Sequence, residues 1–292
     1  MRIIKPPIRI HVWGGLGSQL FAIALAAKLK RKYQNRELLI LLHTGGVTER
    51  QPEITELFPD FNYSFIADFN PTEIQDSDFL GRVQYSPKVS LKRAIKFILV
   101  QLGFVASCNN DEELEKTNSW VTDIRGHYSY HSIDPVFLES LFTSLSKHHS
   151  NMEFLDENSC AIHYRLGDLL NLSEKNPIDF EDLAREYRRI AEKSDYDKLI
   201  VYSDSPQIAF ERFSEIVDKK LETPYLDTSE VLYRACSAKF FVGTSSKVSF
   251  WIAALRSVLF DLHSSLPRKN LPQYSRMLGV NQDLVESYEV SN

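Results

Sequence analysis

Apolar and polar residues alternate over 8–13, a glycine cluster follows, and 19–32 carries apolar residues at helical spacing before an apolar run at 38–42. This order predicts a β-loop-α-β unit. Farther on, 88–105 reads as a helix, 111–116 as a charged turn and 121–130 as a strand. The alternation then restarts with a strand at 159–164, a helix at 179–193, a strand at 198–202, a helix at 206–217, a strand at 238–242 and a helix from Ser245 or Ser246 to about Leu255. The tail from His263 contains Pro267 and Pro272 and is expected to end in a helix near 281–288.

Two successive strand-helix series predict an α/β chain with two Rossmann-like parallel-sheet domains facing across a cleft. Right-handed crossovers place the ligand-binding loops at the carboxyl ends of the strands. The expected boundaries are 1–152 for the first domain, taken as the acceptor side, 153–265 for the second, taken as the nucleotide side, and 266–292 for a C-terminal tail.

Composition narrows the function classes. With 43% hydrophobic and 25% charged residues, the 292-residue chain is globular rather than disordered. A net charge of −5 provides no general attraction for polyanions, so a nucleic-acid partner is not expected and any bound phosphate needs a local constellation. Cys108, Cys160 and Cys236 form no Cys-x-x-Cys pair and read as small buried side chains in a reducing compartment. The first residues lead into a strand rather than a signal-peptide core, and 94–108 contains Lys96 and Gln101 and falls short of the roughly 20 residues of a membrane span. A cytoplasmic location is expected, with the inner membrane as a surface for peripheral association.

Four loops at strand ends carry the candidate chemistry. Gly14-Gly15-Leu16-Gly17-Ser18-Gln19 lies between a strand and a helix, where glycine permits close backbone approach and helix N-terminal amides attract anions. A dinucleotide fingerprint is the competing reading, but Leu20 stands where its third glycine belongs, and His43 and Thr44 stand where an acid should bind ribose. In His163-Tyr164-Arg165-Leu166-Gly167-Asp168, Arg165 can offer its planar fork of donors to a diphosphate and neutralise the charge that grows on a leaving nucleotide. Asp168 can hold that guanidinium or cap a helix; a solvated Arg-Asp pair with His163 in the core is the plainer alternative.

The third loop is Tyr202-Ser203-Asp204-Ser205-Pro206, whose carboxylate can accept from both N–H donors on the guanine edge. Its sequence also suits a helix N-cap followed by proline. The fourth, Gly243-Thr244-Ser245-Ser246, offers hydroxyls and amides to phosphate, or simply caps a helix.

These segments resemble the α-1,2-fucosyltransferases and, more distantly, the protein O-fucosyltransferases and α-1,6-fucosyltransferases. The resemblance runs through Gly14-Gly15-Leu16-Gly17-Ser18-Gln19-Leu20-Phe21, Gly126-His127-Tyr128, His163 to Asp168, Ser203-Asp204, and Thr244-Ser245-Ser246 leading to Ser249-Phe250-Trp251. It implies a GT-B-like fold, GDP-fucose as donor, a glycan hydroxyl as acceptor, inversion at the anomeric carbon and no metal or other cofactor. It also implies that Arg165 contacts the diphosphate, His163 lies by the nucleotide, Asp204 reads guanine, and Ser245 and Ser246 hold phosphate, with Ser249 close by. The chain departs from the α-1,2 pattern at Leu166, where a second arginine is usual, and at Ser18, where asparagine is usual.

Other readings stay open. The donor can be another GDP-deoxysugar such as colitose, or the chain can be a non-catalytic nucleotide-sugar or glycan-binding module. Asp76-Ser77-Asp78 and Asp195-Tyr196-Asp197 have the spacing of a manganese motif but sit in polar connections that read as solvated surface. His11, Asp168 and Glu174 are the candidate bases, and Trp13, Tyr128 and Tyr130 are candidates for an acceptor surface.

Overall fold

A computed structural model of the chain describes residues 5–43, 52–66, 95, 98–99, 102–107, 111–117, 120–125, 128, 131–150, 158–166, 180–193, 195–268 and 284–290. They form two compact units, 1–133 and 134–292.

In the first unit, β1 (Ile8–Trp13) leads through Gly14 and Gly15 into α1 (Leu16–Lys32) and then β2 (Leu38–His43). Next come α2 (Ile54–Leu57), β3 (Asn62–Ile66), β4 (Val105–Ser107), α3 (Asp111–Glu115) and β5 (Asp123–Arg125). The sheet order is β3-β2-β1-β5-β4, and every pairing is parallel. Parallel strands need crossovers, and α1 makes the first one, closing its last turn with Lys30, Arg31 and Lys32 against the negative end of the helix dipole.

The second unit opens with α4 (Pro135–His148) and continues β6 (Ser159–His163), α5 (Phe180–Ala191), β7 (Lys198–Tyr202), α6 (Pro206–Ser214) and β8 (Lys220–Glu222). It ends with α7 (Thr228–Ala235), β9 (Phe240–Gly243), α8 (Lys247–Leu259), β10 (Ser264–Pro267) and β11 (Val285–Tyr288). The order β11-β10-β9-β6-β7-β8, all parallel, places the first strand of the unit at the centre with successive strands added outward on either side. This is the doubly wound Rossmann arrangement, whose switch point lies between β6 and β9. β6 is buried along nearly its whole length, as a strand covered on both faces must be.

The two parallel-sheet α/β units agree with the class the strand-helix alternation predicts. Several details differ. Helix α4 falls before the expected boundary at 152/153, yet it lies in the second unit: Phe137 meets Trp251 edge-on at 5.9 Å, and Phe142 stacks on Tyr233. The tail is not a separate helical segment, because Val285–Tyr288 is a strand paired to β10 and Tyr288 donates from its hydroxyl to Gly243 O at 2.9 Å. The segment 111–115 is helical rather than a turn, and Val105–Ser107 is strand where a helix was expected to end.

Cys160 and Cys236 are free and buried, and burial pushes both thiols up to about 12; Cys108 lies outside the described residues. Among the described residues, no helix is long and apolar enough to cross a membrane.

Candidate functional site

The carboxyl ends of β6 and β9 meet at the switch point of the second unit, where doubly wound sheets open a crevice for ligands. In register, His163 pairs with Gly243 on one side and with Tyr202 on the other, so the loops after all three strands emerge side by side. Three of the four loops singled out in the sequence are therefore brought to one place.

Alternation along 163–166 sorts these residues. Tyr164 and Leu166 are fully buried in the core beneath the sheet, with Leu183, Tyr187 and Phe213 among their cluster. His163 and Arg165 keep part of their surface exposed. A second arginine at 166 would enter that apolar cluster unpaired, which is the physical reason an apolar residue stands there.

Side chains from the neighbouring loops hold the Arg165 turn. Asp204 Oδ1 accepts from Leu166 N at 2.8 Å, and Thr244 Oγ1 donates to His163 O at 3.1 Å while lying 3.5 Å from Arg165 N. Ser249 Oγ accepts from Thr244 N at 3.1 Å and sits 2.7 Å from His163 Nδ1. That hydroxyl accepts from Thr244 N and keeps both a second lone pair and its proton for Nδ1, so it anchors the ring in either neutral tautomer. Burial, with a smaller contribution from the nearby Arg165 charge and opposed by Asp204, lowers His163 to about 4, so the ring is neutral near pH 7.

The capping alternatives resolve residue by residue. Ser205 is the N-cap position of α6 but makes no side-chain cap, and Ser203 Oγ accepts from Ser205 N at 3.1 Å. The Asp204 carboxylate braces the Arg165 loop, and its residue is exposed; a carboxylate has lone pairs for further donors. Ser246 is the true cap of α8, accepting from Val248 N at 3.2 Å, and is buried along with Thr244 and Ser249. Ser245 is exposed at the entrance to that helix. Gly243 is required because a Cβ there would stand 2.6 Å from Leu266 Cδ2 and 2.7 Å from Ser249 Cβ.

The glycine loop belongs to the other unit, at its own switch point between β1 and β5. Gly14 has φ +86°, and Gly15 is the N-cap of α1 with open space around its missing Cβ. Ser18 N and Gln19 N turn back to Gly15 O, and Gly17 is buried. The Gln19 carboxamide lies inside the protein, donating to Gly14 O at 3.0 Å and accepting from Ile54 N at 3.2 Å, so it shapes the loop from within.

Tyr128 is likewise interior, its hydroxyl lying 2.7 Å from His11 O and 2.9 Å from Ile124 O, across β1 and β5, with one proton to share between them. Trp13 is partly exposed at the end of β1. Asp168, Glu174, Tyr130, Gly126, His127 and the 76–78 motif lie outside the described residues. Asp195 is a surface carboxylate paired with Lys219 at 3.1 Å, while Tyr196 between the two aspartates is buried. Among the described residues, no group of three or more His, Cys, Asp or Glu side chains is placed to hold a metal ion.

Sequence reasoning did not find the polar chain of the first unit. His11 Nδ1 lies 3.0 Å from His43 Nε2, His11 Nε2 lies 3.2 Å from Asp123 Oδ1, and Arg9 donates to Asp123 Oδ2 at 2.7 Å. These ion-pair and hydrogen-bond partners hold Asp123 at about 2, outweighing its desolvation. The only hint in the sequence is polar residues at alternate positions of an otherwise apolar strand.

No family model and no curated protein matches the chain. Among solved structures, it is similar to POFUT1 in complex with GDP at 12% identity and TM-score 0.46, over 91% of this chain and 99% of that one. A glycosyl transferase family 9 protein from Veillonella parvula is similar at 10% identity and TM-score 0.46, over 100% and 89% of the two chains. The E. coli heptosyltransferase WaaC with ADP is similar at 8% identity and TM-score 0.46, over 97% and 93%.

Proposed function

We propose that the chain is an inverting glycosyltransferase that moves L-fucose from GDP-fucose to a glycan hydroxyl, with α-1,2 linkage, in the synthesis of a bacterial surface polysaccharide. The observation that carries this is the convergence of Arg165, Asp204, His163 and the Thr244 to Ser249 turn at the β6/β9 switch point. A cation, a carboxylate beside it and the hydroxyl-rich N-terminus of α8 are what a guanosine diphosphate needs: charge for the diphosphate, acceptors for the guanine edge and amides for phosphate oxygens.

The acceptor oxygen bonds to the anomeric carbon on the face opposite the departing diphosphate, and the carbon–oxygen bond to GDP breaks with its electron pair leaving on the phosphate. Arg165 meets that new charge, and no divalent cation is required. The neutral His163 adds no positive charge beside Arg165. The enzyme works in the cytoplasm, with the inner membrane as a peripheral surface, consistent with two free buried cysteines.

Thermal-shift titration with GDP-fucose, GDP-mannose, UDP-glucose and NAD tests the donor, since a ligand bound by the folded state alone raises stability in proportion to RT ln(1 + [L]/Kd). Stabilisation by the GDP sugars alone is expected. Transfer by the wild type in excess EDTA, and a loss of about 100-fold or more in kcat for Arg165→Ala, complete the expectation. Normal turnover by Arg165→Ala, or activity abolished by EDTA and restored by manganese, overturns it.

A further inference from the structure

The sequence from 79 to 110 has five basic residues, Arg82, Lys88, Lys92, Arg93 and Lys96, and no aspartate or glutamate. In a chain of net charge −5 this is a local reversal of sign, and it overlaps the apolar run at 94–108 that is too short to span a bilayer. Basic residues mixed with large apolar ones are the composition of segments that lie on a membrane surface rather than cross it. The five basic residues lie outside the described residues, so the surface itself is defined by their neighbours.

Nine large apolar side chains are exposed among the described residues, and five of them fall between 95 and 120. They are Ile95, Ile98, Leu102, Phe104 and Trp120, from 36% exposed for Phe104 to 57% for Leu102. Ile95, Ile98 and Leu99 are helical, and Leu102 N donates to Ile98 O at 2.9 Å. Residues three and four apart share a helix face, so 95, 98 and 102 form one apolar stripe, while Leu99, the next residue round the helix, is partly buried.

Hydrogen bonds carry this cluster on to the sheet. Phe104 N donates to Leu99 O at 2.9 Å, Thr122 N donates to Phe104 O at 2.8 Å, and Lys5 Nζ stands 5.1 Å from the centre of the Trp120 ring. Phe104, Trp120 and Lys5 precede β4, β5 and β1, which are neighbours in the sheet, so the cluster sits at its amino edge. The glycine loop leaves the opposite edge, one six-residue strand or roughly 20 Å away.

We propose that this amino edge of the first unit is a binding surface for an anionic lipid bilayer. Ile95, Ile98, Leu102 and Phe104 enter the boundary between headgroups and acyl chains, Trp120 sits at headgroup level, and Lys5 beside it meets lipid phosphate. Charge complementarity selects lipid over a second copy of this chain. A two-fold contact would set the basic stretch against itself, whereas an anionic leaflet attracts each lysine or arginine near it. The proposal rests on the peripheral membrane association in the proposed function, and not on the donor or the reaction. A bilayer at the amino edge leaves the loops at the carboxyl edge of the same sheet on the aqueous side.

Sedimentation of the whole chain with vesicles of phosphatidylcholine, alone or mixed with phosphatidylglycerol, tests it. Wild type is expected to bind the mixed vesicles about 10-fold or more tightly than the neutral ones and to lose that preference in high salt. Ile95→Glu combined with Ile98→Glu is expected to weaken binding to mixed vesicles about 10-fold or more, with Tm and GDP affinity unchanged, and Lys5→Gln to weaken it about 5-fold. Vesicles are expected to shift wild-type tryptophan emission to the blue, and Trp120→Phe to remove most of that shift while still sedimenting with them. Full-strength binding by the double variant, or a blue shift kept in Trp120→Phe, overturns the surface. So does a wild type that ignores vesicles and instead forms a concentration-dependent dimer that the double variant dissolves. A wild type that binds mixed vesicles but no GDP sugar sinks the donor reading and leaves this surface standing; one that binds GDP sugars but no vesicle does the reverse.

Discussion

Ser249 reaches back from α8 to place its hydroxyl 2.7 Å from Nδ1 of His163, tying the central strand of the second unit to the helix that follows β9. One side chain thus anchors both the imidazole of the histidine and the turn at Thr244.

Burial of that imidazole predicts a pH dependence. His163 is lowered from 6.5 to about 4, so the unfolded chain binds its proton first as pH falls. The contribution is fully present above about 6.5 and is lost progressively toward pH 4. Urea unfolding of the wild type and His163→Gln is expected to show a steeper loss of stability for the wild type between those values, and parallel curves would refute it.

Asp204 has two tasks, bracing Leu166 N and, in the proposed function, reading guanine. Asp204→Asn keeps an oxygen for the backbone amide but loses the charge-assisted pair of acceptors. Its GDP affinity is expected to fall by about 1.5–3 kcal/mol, roughly 10- to 150-fold, with preference over ADP and UDP reduced. Calorimetric titration against the three diphosphates checks it.

Gly243→Ala puts a methyl 2.6 Å from Leu266 Cδ2 and 2.7 Å from Ser249 Cβ. Both neighbours are buried, so neither can swing into water. A stability loss of about 1–3 kcal/mol is expected, together with weaker nucleotide binding because Ser249 is displaced from His163. Denaturation and thermal shift with GDP measure the two effects separately.

Arg256 is fully buried and donates to the carbonyl oxygens of Ala235, Cys236, Ala238, Lys239 and His263 and to Ser264 Oγ. It closes the end of α7 and binds it to the starts of β9 and β10. Burial brings its pKa down to about 10, which leaves it charged at pH 7. Arg256→Ala strands those carbonyls and is expected to cost about 3–5 kcal/mol, read as a lower urea midpoint, with Arg256→Lys recovering only part because it has fewer donors.

Much of this architecture was legible beforehand. The strands at 8–13 and 198–202 fall where the apolar pattern puts them, because buried parallel strands need continuous apolar faces. Helices α4 and α7 were missed although their starts are marked, by Asp134 before Pro135 and by a capping box between Asp227 and Glu230. The C-terminal strand was not legible: Val285–Tyr288 is four residues long, and it becomes a strand by pairing with β10 and seating Tyr288 under Gly243. Gln19 looked like a ligand residue because it follows a glycine loop, and only the approach of Ile54 shows its amide employed inside.

By itself the sequence determined the α/β class and the identity of the loops at strand ends, since both are local properties of apolar spacing, glycine and capping chemistry. Only tertiary structure decided which loops meet at a switch point, that Ser246 caps while Ser245 faces outward, and that His11, His43 and Asp123 join into one chain. Those outcomes depend on strand order and register, which bring together residues more than a hundred positions apart, and no short window of residues contains that information.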